Sequence, residues 1–240
     1  MNRIGEKFVS KESLGACEYI VVEYNSYSDI WIEFQDSYRA KVHTTYGACR
    51  KGSVKNPYFP SICGIGMLGL MSDGSRPTIK ENGELTKHYV VWKSMIQRCY
   101  DSKTQERQPT YKNVNVCDRW LIYSNFLEDI KSIEGYELWK ANPSLYSLDK
   151  DLKQQGVKNK VYSLETCCFI SNIENARESD ERNPNPPIKV YGINIKTDEY
   201  TKVFNSLREA ERETGISQSS IGKCLNGIYK QSGGYTWHKI

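Results

Sequence analysis

The sequence predicts an α+β protein assembled from small modules, and three observations lead to this prediction. β-Branched and aromatic runs near the N-terminus indicate a small sheet. Apolar residues at helical spacing dominate the middle of the chain. A proline-rich stretch then precedes a C-terminal segment with strand and helix patterns of its own. We therefore predict domains at 1–83, 84–179 and 188–240, with a linker at 180–187.

Composition limits the classes of protein that this chain can be. Apolar residues make up 38% of its 240 residues, below the roughly 45–50% of typical globular chains. The 17 Tyr, 5 Trp and 6 Phe nevertheless supply enough bulk for several limited cores. No run approaches the ~18 apolar residues of a membrane span, and the N-terminus lacks the apolar run of a secretory signal. We expect a cytoplasmic protein with no membrane partner.

The N-terminal domain is predicted to be a small β-meander or barrel-like sheet. Three runs carry the β-branched and aromatic pattern of strands, namely residues 18–24, 29–34 and 38–46. Residues 47–83, rich in Gly, Pro, Ser and Asn, are predicted to be loop or short strand. Within them, Arg50 and Lys51 lie close to aromatic residues, a pattern that binds nucleic acid. The same aromatic residues would equally close a small core.

The central segment alternates helix and strand signals. Thr86 is placed to cap a helix from Lys87 to about Tyr100, whose apolar residues recur at i, i+4 and i+8. A second helix is predicted over 124–132. Two β-like pieces, 147–148 and 167–170, precede Ser171, which is predicted to cap a short helix over 172–178.

The C-terminal segment reads as a β-hairpin plus a helix-turn-helix. Strands are predicted at 188–195 and 200–204, and Ser206 with Glu209 forms a capping-box pattern. A turn at 215–217 joins two short helices, an arrangement found in DNA-binding proteins and also in many other folds. The second helix offers side chains that reach base edges and phosphates. These candidate DNA-binding residues are Ser217, Gln218, Ser219, Ser220 and Lys223.

The charge distribution favours a polyanionic partner for this same segment. The chain carries a net charge of +4, too small by itself to decide a function. The last 53 residues hold 8 basic and 5 acidic side chains, and therefore three of those four charges.

The eight cysteines do not form a zinc-site pattern. They lie at 17, 49, 63, 99, 117, 167, 168 and 224, without a C-x-x-C pair. Structural zinc usually takes cysteines spaced by two to four residues, so we expect reduced thiols and no structural zinc.

The C-terminal motifs resemble the nuclease-associated modular DNA-binding repeat that follows many homing endonucleases. The matching residues are Phe204-x-Ser206, Glu209-Ala210, Thr214-Gly215-Ile216-Ser217, Ile221, Cys224-Leu225-Asn226-Gly227 and Gly234-Tyr235-Thr236-Trp237. The resemblance covers about 50 residues and implies double-stranded DNA as the partner.

A second, ordered set of motifs resembles phage and mobile-intron HNH-type endonucleases over roughly residues 86–178. The set comprises His88-x-x-x-Trp92-x-x-Met95-x-x-x-Cys99, Pro109-Thr-Tyr-Lys, Val116-Cys117-x-x-Trp120, Phe126-x-x-Asp129, Ser147-Leu-Asp-Lys-Asp151, Tyr162-Ser-Leu-Glu-Thr-Cys-Cys-Phe169 and Asn172-x-x-Glu-Asn175. The resemblance implies a ββα-metal unit that hydrolyses phosphodiesters with Mg²⁺ or Mn²⁺.

Residue by residue, the resemblance places Asp149 at the metal-binding acid and Asn175 at the helix ligand. Thr166 falls where the family often has an orienting asparagine. Lys150 stands where the family usually has its histidine base, and a charged ammonium cannot accept a proton. His88, the remaining histidine of this stretch, would have to fold onto the site to replace it. Otherwise, His88 is a surface or helix-start residue, and Asp149 belongs to a solvated turn.

We therefore expect a sequence-specific, metal-dependent HNH-type endonuclease of phage or mobile-element origin. If so, it acts in the cytoplasm of a bacterial host. The alternative is a non-cleaving DNA-binding protein, such as a phage regulator or anti-host factor, that keeps the fold and has lost the base. A protein–protein inhibitor is a third class, and it would show no salt-sensitive DNA binding. The sequence leaves the oligomeric state open and is compatible with a monomer.

Overall fold

The computed structural model describes residues 3–182 and 187–240. The chain divides into two compact units, the first ending at Glu178 and the second beginning at Ser179. Residues 183–186 of the predicted linker lie outside the described residues, and the preceding helix extends to Arg182. The predicted domain boundary at residue 83 falls within the first unit and stays a prediction.

The first unit begins with a four-stranded antiparallel sheet in the order β1-β2-β3-β4. Its strands are β1 Lys7–Val9, β2 Glu18–Ser26, β3 Asp29–Phe34 and β4 Lys41–Thr44. Along β3, Ile30, Ile32 and Phe34 are buried while the residues between them are not, which is the period of two that defines a sheet face. The predicted meander is confirmed. As β1 and β4 are its two edges, the described sheet is open and not a closed barrel.

Residues 47–83, predicted to be loop or short strand, include most of a short helix and contact two hydrophobic cores. Helix α1 spans Tyr46–Arg50, and the Thr45 side chain caps it by accepting the Ala48 N–H. Farther along, Leu70 packs against the core beneath the sheet. Ile62 and Leu68 pack instead against the central core. The segment is therefore anchored on both sides.

The central core is formed by helices around three buried tryptophans, Trp92, Trp120 and Trp139. A hairpin of two short strands, β5 Lys80–Glu81 and β6 Glu84–Leu85, precedes the helices. The helices are α2 Lys87–Tyr100, α3 Ser102–Arg107, α4 Tyr123–Asp129 and α5 Tyr136–Ala141. Between α3 and α4, strand β7 Asn115–Val116 later pairs in parallel with β9 Val161–Tyr162. The cap at Thr86 and the helix after it are confirmed, whereas α3 and α5 have no counterpart in the sequence prediction.

Several motif residues of the central resemblance prove to hold this core together. The Trp92 indole donates a hydrogen bond to the Trp120 carbonyl at 2.7 Å. The Trp120 indole in turn donates to Oδ2 of Asp129 at 2.9 Å. A buried indole N–H needs such a partner, so the spacing of these residues in the sequence reflects packing.

The second unit packs two helices against a pair of antiparallel strands. β11 Val190–Asn194 pairs with β12 Tyr235–Lys239, and helices α7 Leu207–Thr214 and α8 Gln218–Leu225 lie between them in sequence. The predicted capping box is present, because Ser206 accepts the Glu209 N–H and Glu209 accepts the Asn205 N–H. Gly215 ends α7 with φ 73°, which favours glycine. The buried residues of this unit are Val190, Phe204, Ala210, Ile221 and Trp237.

The strand predicted over 200–204 is wrong as a continuous element. Tyr200 and Phe204 make isolated antiparallel bridges to β11. Between them the Thr201 side-chain oxygen accepts the Gly192 N–H at 2.8 Å, where a strand would offer its own carbonyl. A side-chain oxygen therefore replaces a backbone carbonyl as the acceptor for this strand. Across the described ranges, no helix combines the length and apolar character needed to cross a membrane.

Candidate active site

An antiparallel strand pair followed directly by a helix brings the central candidate residues together. β8 Tyr146–Asp149 pairs with β10 Cys168–Ser171, with Asp149 opposite Cys168, and α6 Asn172–Arg182 begins at the next residue. Because side chains alternate along a strand, Leu148 points into the core while its neighbours Ser147 and Asp149 share the other face. The sequence-predicted pair of strands and capped helix is confirmed.

Local hydrogen bonds fix the start of α6 against β8. Ser171 and Glu174 form a capping box, in which Ser171 Oγ accepts the Glu174 N–H and Glu174 accepts the Ser171 N–H. The Asn172 side chain donates to the Ser144 carbonyl at 2.9 Å and accepts from the Ser147 hydroxyl at 2.7 Å. Asn175 follows Asn172 by three residues, and therefore lies on the same face of the helix.

A pocket of about 450 Å³ opens beside these residues. Asp149, Lys150 and Asn175 all line it, so three of the predicted residues meet in one place. The opposite wall comes from α2, α3 and the turn after α3. The lining residues that the sequence prediction missed include Arg98, Arg107, Tyr111 and Tyr162. Tyr111 and Tyr162 both belong to motifs of the central resemblance, whereas Arg98 and Arg107 stand at no specified motif position.

Asp149 is almost fully buried, at 5% exposure, and its two carboxylate oxygens have different surroundings. Oδ2 accepts the N–H groups of Asp151 at 2.8 Å and of Leu152 at 2.7 Å, which holds the turn after β8. Oδ1 accepts no hydrogen bond from the described residues. The Asn175 side chain likewise makes none with them. The pocket therefore offers one carboxylate oxygen and one amide oxygen.

This donor pair fits a hard divalent cation. Mg²⁺ prefers oxygen ligands and is usually held by one or two protein groups together with substrate phosphates and water. Asp149 and Asn175 match that pattern. Within the described ranges no group of three or more His, Cys, Asp or Glu side chains is placed to hold a metal ion. A soft, cysteine-rich site is not what these residues form.

Lys150 is buried and held by a carboxylate and aromatic rings. Its side chain is 7% exposed, and Nζ lies 2.9 Å from Oδ2 of Asp151. Nζ also sits 4.6 Å from the ring centroid of Tyr111 and 5.7 Å from that of Tyr162. Both kinds of neighbour stabilise the ammonium form. The ammonium group of Lys150 is therefore held between one carboxylate and two aromatic rings.

Asp151 balances two lysines at once. Its Oδ1 accepts from Lys160 Nζ at 2.6 Å while its Oδ2 accepts from Lys150. Burial by itself would raise the pKa of Asp151. The hydrogen bonds from the two lysines outweigh burial and lower the pKa to about 2. The carboxylate is therefore ionised and committed to these cations at neutral pH.

The loop between β8 and β10 is held by a buried glutamine that the sequence did not reveal. Gln154 donates to the carbonyls of Lys150 and Val161 and accepts the Val161 N–H. Thr166, the predicted orienting residue, donates to the same Val161 carbonyl at 2.6 Å. Thr166 therefore binds the loop backbone and is linked to the Lys150 backbone through the hydrogen bonds of Gln154.

His88 lies in a different environment from the pocket residues. Its Nε2 is 2.9 Å from the Tyr136 hydroxyl, and its ring packs edge-on against Trp139. Burial lowers the pKa of His88. His88 is not among the residues that line the Asp149 pocket. The fold gives it an aromatic packing role, and the structure does not bring it to the predicted metal ligands.

The predicted DNA-binding residues of α8 divide into two groups. The Ser217 hydroxyl caps the helix by accepting the Ser220 N–H at 3.2 Å, and it donates to the Ser220 hydroxyl at 2.9 Å, so these two serines bond to each other. Gln218, Ser219 and Lys223 are exposed. Nζ of Lys223 lies 5.2 Å from the ring centroid of Tyr229.

The two N-terminal candidates lie at the end of α1. Arg50 and Lys51 are exposed and line a shallow depression of about 560 Å³ together with Tyr27. The structure therefore places the two cations beside an aromatic ring, although a different ring from those nearest in sequence.

Comparisons with known proteins agree with both resemblances. Residues 194–238 match the family model described as DNA endonuclease I-HmuI-like, NUMOD-like domain. The chain is also 36% identical, over 170 residues, to an uncharacterized HNH endonuclease, L247, of Acanthamoeba polyphaga mimivirus. That alignment covers 64% of this chain and 42% of the relative, so the chain spans less than half of the relative's length. No solved structure matches the chain. The resemblance to HNH-type endonucleases with a C-terminal modular DNA-binding repeat is confirmed.

Proposed function

We propose that this protein is a sequence-specific, metal-dependent DNA endonuclease of the HNH homing type. The observation that carries the proposal is the pocket at the strand pair and helix, which Asp149 and Asn175 both line. The resemblance to an HNH endonuclease supports the same reaction class. The proposed substrate is double-stranded DNA.

The pocket residues divide the proposed chemistry among them. Asp149 and Asn175 would hold Mg²⁺ or Mn²⁺, which supplies charge stabilisation at the scissile phosphate. Arg98 and Arg107, on the facing wall, offer guanidinium groups to phosphate oxygens. Lys150 adds a fixed positive charge beside them. Asp151 holds that charge in place, and Gln154 holds the backbone that carries it.

The C-terminal unit is proposed to select the DNA sequence. Its family model is that of an endonuclease-associated domain, and the outward residues of α8 suit the major groove as a recognition helix does. Gln218 and Ser219 are proposed to contact base edges, and Lys223 a phosphate. Arg50 and Lys51 of the first unit are proposed to add further phosphate contacts.

One observation favours a second function, that of a DNA-binding protein without cleavage. Lys150 occupies the position of the usual base, and the residues that line the pocket include no histidine. General-base catalysis contributes about 10²–10⁴-fold in rate, so its loss would leave a slow enzyme or none. This alternative keeps every DNA contact proposed above.

Nicking of supercoiled DNA and DNA binding, measured on the same variants, separate the two functions. We expect cleavage with Mg²⁺ or Mn²⁺, its loss in Asp149→Asn and Asn175→Ala, and unchanged binding in both. Asp118→Asn is the matched control, because Asp118 is exposed and lies outside the pocket lining. Binding without cleavage by the wild-type protein would establish the alternative. Full cleavage by Asp149→Asn would show that the site is wrongly assigned.

A further inference from the structure

Gly222, in the middle of α8, has no structural reason to be glycine. All 17 glycines of the sequence lie within the described ranges, and 13 of them have a positive φ that favours glycine. Three others, Gly47, Gly66 and Gly192, have a neighbouring atom 3.0–3.1 Å from where a Cβ would stand. Gly222 has neither a positive φ nor any such neighbour within 4 Å. Nothing within the described protein requires a missing side chain there.

Glycine at this position weakens the helix. It loses more conformational freedom than alanine when it enters a helix, which lowers helix stability by a factor of about two to five. α8 has only eight residues, so it has little excess stability with which to offset that loss. A residue that weakens its own helix and meets nothing in its own domain is explained by something outside the domain.

The position of Gly222 on the helix indicates which partner outside the domain it would contact. Residues three and four apart share a helix face, so Gly222 lies beside Ser219 and Gln218, which are both exposed. Ile221, by contrast, is fully buried in the core of the unit. Gly222, itself half-buried, therefore lies at the edge of the outward face that carries the proposed base-contacting side chains.

We infer that Gly222 is the point of closest approach between α8 and the DNA, which makes it a specificity-determining residue of the proposed sequence readout. This inference rests on the proposed DNA-binding function. The major groove is about 12 Å wide, and a helix with its side chains measures about 10–12 Å across. A Cβ projects about 1.5 Å from the backbone. Its absence lets the helix settle deeply enough for Gln218 and Ser219 to reach base edges.

The test compares Gly222→Ala with wild type in the full chain. A 30-base-pair duplex is first selected by the wild-type protein from a random-sequence pool, and binding is then measured by fluorescence anisotropy in EDTA. Gly222→Ala is expected to bind the selected duplex roughly tenfold more weakly, with little change on a scrambled duplex held by phosphate contacts. Gly222→Leu, also a good helix former, is expected to bind more weakly still. Cys224→Ala, half-buried on the same helix, is the control that keeps wild-type affinity.

A second measurement on the same variants, of helix stability, is expected to change in the opposite direction from DNA affinity. Amide hydrogen exchange in α8 of the free protein is expected to slow by about two- to fivefold in Gly222→Ala, because alanine stabilises the helix. Slower exchange with weaker specific binding is the predicted pair. Wild-type affinity in Gly222→Ala, or faster exchange, would overturn the inference and leave the proposed function standing. If the wild-type protein selects no sequence from the pool, the proposed function fails and this inference fails with it.

Discussion

Substituting Asp149 by alanine and by asparagine is expected to separate two tasks of this carboxylate. Its Oδ2 accepts two backbone N–H groups, at 2.8 and 2.7 Å, in a site that is only 5% exposed. Alanine removes both acceptors at once. Asparagine can keep an oxygen in the place of Oδ2, but its NH2 group then replaces Oδ1 and the negative charge is lost. Both variants are expected to lose cleavage, because neither leaves a carboxylate for the cation.

The structural difference between the two variants has a calculable size. A backbone N–H left without its partner costs about 1–3 kcal/mol when buried, and loss of a side-chain cap costs about 0.5–2 kcal/mol. For two donors at the rim of a pocket, where water replaces part of the bonding, Asp149→Ala is expected to lower the free energy of unfolding by about 2 kcal/mol. Asp149→Asn is expected to lower it by about 1 kcal/mol or less, because its hydrogen bonds remain but are no longer charge-assisted.

Urea unfolding followed by tryptophan fluorescence measures this difference, since Trp31, Trp92, Trp120 and Trp139 all lie in the first unit. The midpoint should fall in the order wild type, Asp149→Asn, Asp149→Ala, with an unchanged slope. Equal stability of Asp149→Ala and wild type would refute the role of Oδ2 in the turn. Equal losses in both variants would show that the charge, and not the cap, stabilises this region.

Three other changes have definite expected outcomes. The hydrogen bond from Arg119 lowers the pKa of Asp129 against the opposing effect of burial. The ionised Asp129 therefore stabilises the fold above about pH 4, and this stabilisation is lost on acidification. Asp129→Asn should remove this pH-dependent part of the free energy of unfolding measured in urea. Burial raises the pKa of the Cys167 thiol to about 12, so alkylation at about pH 8 should modify Cys167 only after unfolding. Cys63 is exposed and should be modified first. Mass spectrometry measures the order of modification. Lys150→Arg should keep more nicking activity than Lys150→Met, because a fixed charge remains; the reverse order would contradict the charge role.

The parts of the fold that the sequence predicted well are those specified by neighbouring residues. Thr86 caps α2 within its own turn, and the Ser206 and Ser171 capping boxes each span four residues. Such signals depend on local hydrogen bonds and appear directly in the sequence. The order of strand, strand and helix around Asp149 was predictable for the same reason, with the resemblance supplying the roles of its residues.

What the sequence did not predict depends on contacts between distant segments. Arg98 reaches the pocket because α2 packs beside the turn after α3, and Tyr162 because β9 pairs with β7. Gln154 shows no motif, since its three hydrogen bonds join two parts of one loop. The short helices α1, α3 and α5 are stabilised by tertiary packing more than by their own propensity. The contact of His88 with Trp139 likewise joins distant segments, and the sequence shows no sign of it.

The charges of the pocket residues bear on the choice between an endonuclease and a DNA-binding protein without cleavage. Two carboxylates line it, and the lysines at 150 and 160 neutralise the one on Asp151. Asp149 makes no ion pair with the described residues, so its charge remains available to a divalent cation. Arg98 and Arg107 also line this pocket and add two positive charges to its wall. Under the proposed function, Lys150 in place of the family's usual histidine would change how a proton is removed, while Asp149 and Asn175 would still offer oxygen ligands to a metal ion.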